Sequence, residues 1–260
     1  MEKTLQNKVA VITGAGRGMG KTIAETLAAQ GARVVLGART LSYGEATRNE
    51  FLDKGYTATL CQCDTTVRED CRKLIDHAVT EFGGVDILVH CAADIPVGTI
   101  DVLPEDDFTR CMTSITTAAF WLTKDAIPHL AKSDAGRIVY ISSTAAISSL
   151  PGLAHYSAAK AALDAFARGA ATELGAKGIT VNTVNPGLIA SDRMQSHLSP
   201  EHQRMISSHL PIARPGTTQE IADLVAYIVS AKAGYMTGAN VVIDGGSTLG
   251  GSQVTSLMKN

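Results

Sequence analysis

Tyr156 and Lys160 stand four residues apart in the stretch His155-Tyr-Ser-Ala-Ala-Lys160. On a helix, positions i and i+4 share a face, so a phenol and an ammonium are held side by side. A nearby positive charge favours the ionised form of an acid and draws a tyrosine down from its usual pKa of about 10. A phenol tuned in this way can pass a proton to or from an alcohol oxygen. Alone, the pair is an ordinary feature of a helix surface, and its meaning rests on its companions. One is Ser143, upstream. The other is a glycine-rich turn, Thr13-Gly-Ala-Gly-Arg-Gly-Met-Gly20.

The turn follows an apolar strand candidate and opens a helix. Its pattern is T-G-x-x-x-G-x-G, with Gly14, Gly18 and Gly20, and with Arg17 and Met19 between them. Glycine lets the backbone turn tightly and approach a phosphate, and the helix N-terminus offers N–H groups and a positive dipole end. A rival reading overlaps it. Ala15 to Thr22 reads A-x-x-x-x-G-K-T, one residue short of the nucleoside-triphosphate loop, which would make Lys21 and Thr22 nucleotide and magnesium contacts. Ala15 in place of the first glycine counts against it. So does the lack of an apolar strand that clearly ends in a magnesium-binding Asp, since the run Ile87–Cys91 continues into Ala92-Ala93. The dinucleotide reading is therefore preferred.

An NAD-binding chain places an acid at the end of its second strand to bond the ribose 2′-OH. Here that strand ends Val34-Val-Leu-Gly-Ala-Arg39, with Ala38 in the acidic position. The guanidinium forks of Arg39 and Arg17 match phosphate oxygens instead. The expected cofactor is NADP(H).

These residues need a scaffold, and the hydrophobic pattern supplies one. Strands are predicted at Val9–Thr13, Arg33–Gly37, Thr57–Cys63, Ile87–Cys91, Arg137–Ser142, Thr180–Asn185 and Asn240–Ile243. Helices are predicted between them at Lys21–Gln30, Ser42–Lys54, Val67–Phe82, Pro104–Ala131, Tyr156–Lys177 and Thr218–Ala231. Strands separated by helices imply a parallel sheet covered on both faces. No linker or repeat divides residues 1–260, so one domain is expected. The longest irregular piece, Gly187 to Gly216, suits a substrate flap, placed at 188–210.

Composition narrows the function classes. With 45% hydrophobic and 18% charged residues the chain can build a large core. A net charge of −2 gives no electrostatic case for nucleic acid or an acidic membrane. No apolar run reaches the length of a bilayer span, and the first residues lack the apolar core of a signal peptide. A soluble, cytoplasmic protein is expected. Five cysteines, without a C-x-x-C, argue against a disulfide framework or zinc ribbon. Cys61 and Cys63 are read as small buried hydrophobes and no metal site is expected.

From Lys8 to Gly246 the chain resembles the short-chain dehydrogenase/reductase family. The likeness is carried by the glycine turn, Asp64 after strand three, Ser143, Tyr156 and Lys160. It continues through Asn182, Asn185-Pro-Gly187 and the closing run Tyr235-Met-Thr-Gly-Ala-Asn-Val-Val-Ile-Asp-Gly-Gly246. The resemblance implies a Rossmann-type, doubly wound α/β sheet of about seven strands and a homotetramer. It implies that Tyr156 is the general acid/base, that Ser143 bonds the substrate carbonyl, and that Lys160 holds the nicotinamide ribose. Asp64 and Thr65 would border the adenine, and Ala92 would lie where the backbone passes the cofactor. Pro186, Gly187, Ile189 and Ser191 would flank the carboxamide.

The departures concern two places. His90-Cys-Ala-Ala93 stands where the family commonly has Asn-Asn-Ala-Gly. His90 is read as a structural hydrogen-bonding residue rather than a base. Ser114 aligns with an asparagine that helps a proton relay in family members, and a serine there can hold a water. The expected reaction is hydride transfer between NADP(H) and a small ketone or secondary alcohol. One alternative is a β-ketoacyl thioester reductase. Another is a non-catalytic NADP-binding regulator. The carrier-protein enzymes tend to have basic docking residues where this chain has Asp134 and Thr172, with only Lys132 and Arg168 nearby. Asp134 is expected to repel an acidic partner, which favours a free ketone. Ala145, Ile147 and Leu150 are candidate pocket walls.

Overall fold

The computed structural model describes residues 3–191 and 199–249. Seven parallel strands form one sheet: β1 (Val9–Thr13), β2 (Arg33–Ala38), β3 (Ala58–Gln62), β4 (Ile87–His90), β5 (Arg137–Ile141), β6 (Thr180–Pro186) and β9 (Asn240–Ile243). Their order is β3-β2-β1-β4-β5-β6-β9. The chain winds outward from β1 in one direction, then returns to β4 and winds in the other. This is the doubly wound α/β fold, and the reversal between β1 and β4 opens a crevice at the carboxyl ends of those strands.

The strands read as continuous apolar runs because both faces are covered. Along β1, Val9 and Val11 enter one core while Ala10 and Ile12 enter the other, as the two-residue period of a strand requires. The first core is closed by α3 (Arg68–Phe82), α5 (Ala118–Leu130) and α6 (Ala154–Leu174). The second is closed by α1 (Gly18–Ala29), α2 (Leu41–Asp53) and α8 (Thr218–Val229).

Two features differ from the sequence reading. The single helix expected at Pro104–Ala131 is α4 (Glu105–Met112), a π-helical turn at Thr113–Thr117, and then α5. The Ser114 hydroxyl donates to the Cys111 carbonyl at 3.1 Å inside this turn, and Thr116 Oγ1 donates to Ala159 O at 2.9 Å, tying the turn to α6. The second is the start of α1, which begins at Gly18 rather than Lys21. Its first turn includes two glycines that propensity alone places outside a helix.

The segment expected to form a flap is framed by a short parallel pair, β7 (Ile189–Ala190) with β8 (Gly216–Thr217), and it carries α7 (Pro200–Ser208). Residues 192–198 of that proposed flap, and residues 250–260 of the tail, lie outside the described residues. No helix among the described residues is long and apolar enough to cross a membrane.

Candidate active site

The glycine turn is built by close packing. Gly14 has φ 70°, and a Cβ there would sit 3.0 Å from the Ala92 backbone at the end of β4. A Cβ on Gly20 would overlap the Gly14 carbonyl oxygen. Glycine at both positions lets β1, the turn and the first turn of α1 close on one another. No side chain caps α1, since Arg17 at its N-cap makes no capping hydrogen bond. The first N–H groups and the positive end of the helix dipole are thus left for an anion. The rival nucleotide-loop reading fails here. Lys21 Nζ is bound to Glu50, and Thr22 Oγ1 donates to Gly18 O at 3.2 Å.

Two adjoining clefts run across the crevice. The one beside β2, of about 180 Å³, is lined by Gly14, Arg17, Arg39, Asp64, Thr65, Ala92 and Ser114. The one beside β5, of about 510 Å³, is lined by Gly14, Arg17, Gly18, Met19, Gly20, Ala92, Ser143, Tyr156, Lys160, Pro186, Gly187, Ile189 and Ser191. Gly14, Arg17 and Ala92 belong to both, so the clefts meet at the glycine turn. Every residue expected to be catalytic or to touch the cofactor lines one or the other, whereas the candidate pocket walls Ala145, Ile147 and Leu150 line neither, and Ile147 and Leu150 are exposed. Ser114 lies on the β2 side, away from the group formed by Ser143, Tyr156 and Lys160.

That group sits where β5 meets α6. Ser143 follows β5 in extended conformation and accepts the Ala145 N–H at 3.1 Å. Tyr156 is in the first turn of α6, where the helix dipole favours negative charge. Lys160 is one turn on, with Nζ 5.6 Å from the centre of the Tyr156 ring and donating to the Ile141 carbonyl at 2.6 Å. Lys160 is 3% exposed. Burial is the main reason its pKa falls from 10.5 to about 8. Asn185 supports the group from β6. Its amide donates to the Ser143 carbonyl at 3.3 Å and to Asp164 Oδ2 at 2.7 Å.

His90 is buried at the end of β4. Its Nε2 lies 3.0 Å from the Ile115 carbonyl, which can only accept, so Nε2 carries the proton. Its Nδ1 then accepts from the Thr13 hydroxyl at 2.8 Å. The Thr13 oxygen in turn accepts the N–H groups of Cys91 at 3.1 Å and Ala92 at 3.2 Å. Burial first, and then the Lys160 charge, lower the His90 pKa to about 4. The ring is a neutral brace between β1, β4 and the π-turn.

Several lining residues were not legible in the sequence. Cys91, Ile95, Ile141 and Ser142 line the β5-side cleft. Tyr43, Cys63 and Asp94 line the β2-side cleft, where the Arg17 guanidinium stands 4.8 Å from the Tyr43 ring centre. Most are neighbours in sequence of predicted site residues, which was the available signal. Tyr43 is brought in only by the fold.

The comparisons with known proteins agree with this geometry. A family model described as enoyl-(acyl carrier protein) reductase matches residues 14–248. The chain is 36% identical to the 3-oxoacyl-(acyl-carrier-protein) reductase FabG of Vibrio cholerae, over 93% of this chain and 98% of that protein. It is 34% identical to the 7alpha-hydroxysteroid dehydrogenase of Escherichia coli K12, over 93% and 94%. Among solved structures, a blue fluorescent protein from a metagenomic library, in complex with NADPH, superposes with a TM-score of 0.88. It is 32% identical, with 94% of this chain and 99% of that one covered. A match over most of the length to enzymes of this kind leaves no room for a chance likeness of motifs, and the chain belongs to the short-chain dehydrogenase/reductase family of oxidoreductases.

Proposed function

We propose that the protein is an NADP(H)-dependent carbonyl reductase and secondary-alcohol dehydrogenase acting on a free ketone or alcohol. One observation carries the reading: Ser143, Tyr156 and Lys160 open onto the same cleft as the glycine turn. The residues present fit a nicotinamide dinucleotide, because Gly14 and Gly20 let the turn close tightly, Gly18 between them faces open space that a Cβ would enter, and the start of α1 is uncapped. When bound, the nicotinamide supplies or accepts a hydride at the carbonyl carbon.

The chain's own residues handle the proton and the geometry. Tyr156 passes a proton between its phenol oxygen and the substrate oxygen. Ser143 donates a hydrogen bond to that oxygen and stabilises the charge that develops on it. Lys160 holds the nicotinamide ribose and places a cation beside Tyr156. Asn185 fixes the Ser143 backbone, so the hydroxyl starts from a set position. The β2-side cleft would hold the adenosine half, with Arg39 and Arg17 available to its 2′-phosphate and Asp64 and Thr65 to the adenine. The solved relative that holds NADPH supports this cofactor choice. Ser114 serves as a positioning residue for the loop after β4 rather than a proton relay, because its hydroxyl is bound to Cys111 O and accepts the Asp94 N–H at 3.0 Å.

The thioester alternative is favoured by the relative FabG, a 3-oxoacyl-(acyl-carrier-protein) reductase. The relative that is a hydroxysteroid dehydrogenase favours a free alcohol. Asp134 is ion-paired with Lys8, so it is a neutralised site rather than the lone repelling charge expected from the sequence. The Thr172 hydroxyl is turned back onto Arg168 O. Neither position supplies a cation for an acidic carrier protein, which supports the free substrate. The reading as a non-catalytic regulator is set aside by membership in a family of enzymes. The proposed homotetramer would bury the apolar groove of about 220 Å³ between α5 and α6, which includes Phe120 and Phe166.

The test is NADPH oxidation against an acetoacetyl thioester, an aliphatic ketone, a cyclic diketone and a ketosteroid, with wild type and Tyr156→Phe. A free ketone should be preferred, and the variant should lose on the order of 10²- to 10⁴-fold in kcat while still binding NADPH. Full activity of Tyr156→Phe would refute the mechanism, and a strong preference for the thioester would refute the substrate class.

A further inference from the structure

Three charged side chains meet over the β2-side cleft. Asp94, in the loop after β4, is 2.6 Å from Arg110 Nε of α4. The same carboxylate oxygen is 3.5 Å from Arg39 Nη1, at the end of β2. The Asp94 backbone is fixed separately, because its N–H donates to Ser114 Oγ at 3.0 Å. The Arg39 backbone is held in turn, its carbonyl accepting from Gln62 Nε2 at 3.2 Å. The carboxylate therefore lines the cleft on a fixed base. It faces the guanidinium that the NADP(H) reading assigns to the 2′-phosphate.

A carboxylate and a phosphate that share one guanidinium compete for it. Asp94 also adds a negative charge at the place where an anion must dock, which disfavours that anion. Arg110 opposes both effects by holding the carboxylate from the other side. We propose that Asp94 is a specificity-determining residue that weakens the hold on the 2′-phosphate of NADP(H), and that Arg110 sets how strongly it does so. This rests on the NADP(H) reading of the β2-side cleft.

The experiment compares 2′,5′-ADP with 5′-AMP, which differ only in the 2′-phosphate, by isothermal titration calorimetry at fixed salt. Asp94→Asn keeps the side-chain shape and the backbone bond to Ser114. It should bind 2′,5′-ADP roughly three- to fivefold more tightly, the range of an exposed ion pair, and leave 5′-AMP unchanged. Arg110→Gln should move 2′,5′-ADP the other way, by about twofold, because Asp94 is then left to Arg39. The double variant should keep the gain of Asp94→Asn, because Arg110 acts through Asp94. Wild type that prefers 2′,5′-ADP, together with an Asp94→Asn variant that leaves the preference unaltered, would overturn the proposal and spare the cofactor reading. Equal tightening of both ligands would overturn it too, since Asp94 would then act on the whole cleft. Wild type that binds 5′-AMP as well as 2′,5′-ADP would overturn the NADP(H) reading itself, and the proposal with it.

Discussion

Replacing Lys160 with methionine should stabilise the ligand-free protein at neutral pH while destroying its function. The ammonium is buried, and its nearest hydrogen-bond partner is a neutral carbonyl, Ile141 O. A fall in pKa from 10.5 to about 8 corresponds to roughly 3 kcal/mol disfavouring the charged form in the fold. The sign follows from proton binding. Between pH 8 and 10.5 the unfolded chain keeps the lysine proton and the native chain releases it, so this group makes stability rise with pH. The penalty is complete below pH 8 and absent above pH 10.5. Lys160→Met removes it, at the loss of one hydrogen bond worth about 1–2 kcal/mol. At pH 7 the variant should therefore be ahead by about 1–2 kcal/mol, an advantage that shrinks and reverses as pH approaches 10.5. Urea unfolding of both proteins at several pH values, at one protomer concentration, measures the difference. The buried thiols Cys63 and Cys91, whose pKa values are raised mainly by a neighbouring thiol and by burial respectively, act in the opposite direction. Cys63 is common to both proteins and drops out, whereas Cys91, which the Lys160 charge draws down, rises further in the variant and makes its advantage shrink faster above the ordinary thiol pKa of 9.0. A difference between variant and wild type that stays constant from pH 7 to 10 would refute the reasoning.

Binding of NADPH near pH 8 should take up protons, because an anionic ligand beside Lys160 raises its pKa, and calorimetry in buffers of different ionisation enthalpy would detect this. His90, held neutral with a pKa of about 4 against a usual 6.5, should make the protein lose about 3 kcal/mol as pH falls from 6.5 to 4, since only the unfolded chain gains the proton there. In His90→Asn that slope should be absent from the urea midpoints, and kcat should show no inflection from this ring in the wild type. Gly20→Ala should displace the turn at Gly14 O and weaken NADPH binding by at least tenfold, measured by fluorescence titration, with a lower thermal midpoint.

The sequence makes the five central strands easy to read because they are buried on both faces, whereas the edge strands β3 and β9 are only part-buried. β1 and β9 have the expected boundaries, and the apolar runs of β4 and β5 end within a residue of expectation. The site residues were legible wherever function demands a local pattern, as in the glycine turn or the four-residue spacing of Tyr156 and Lys160. Features formed by tertiary contact were not. The π-turn at Thr113–Thr117 inserts itself within an unbroken helical pattern. Asp134 reads as a free charge until the fold brings up Lys8 from 126 positions away. The Arg39–Asp94–Arg110 cluster joins three separate elements with no shared spacing to betray it.

The two departures from the family pattern meet at one junction, and this explains why they occur together. An asparagine after β4 would brace the sheet, and the chain has His90 there. The imidazole reaches the π-turn through Ile115 O and reaches β1 through Thr13. The second departure, Ser114, is the neighbouring residue of that π-turn, and its hydroxyl holds the Asp94 N–H of the loop after β4. Cys91 and Ala92, between these anchors, give their N–H groups to Thr13. The loop is therefore pinned at successive backbone positions by side chains from β1, β4 and the π-turn. A larger ring at position 90 spans the gap to Ile115, and a shorter side chain at position 114 leaves its hydroxyl facing the loop backbone. Restoring asparagine at either position alone should disturb this bracing, because each residue contacts what the other helps to hold. The double variant His90→Asn/Ser114→Asn should recover part of the stability lost by the singles in urea unfolding. Strict additivity of the two losses would show that the sites act independently.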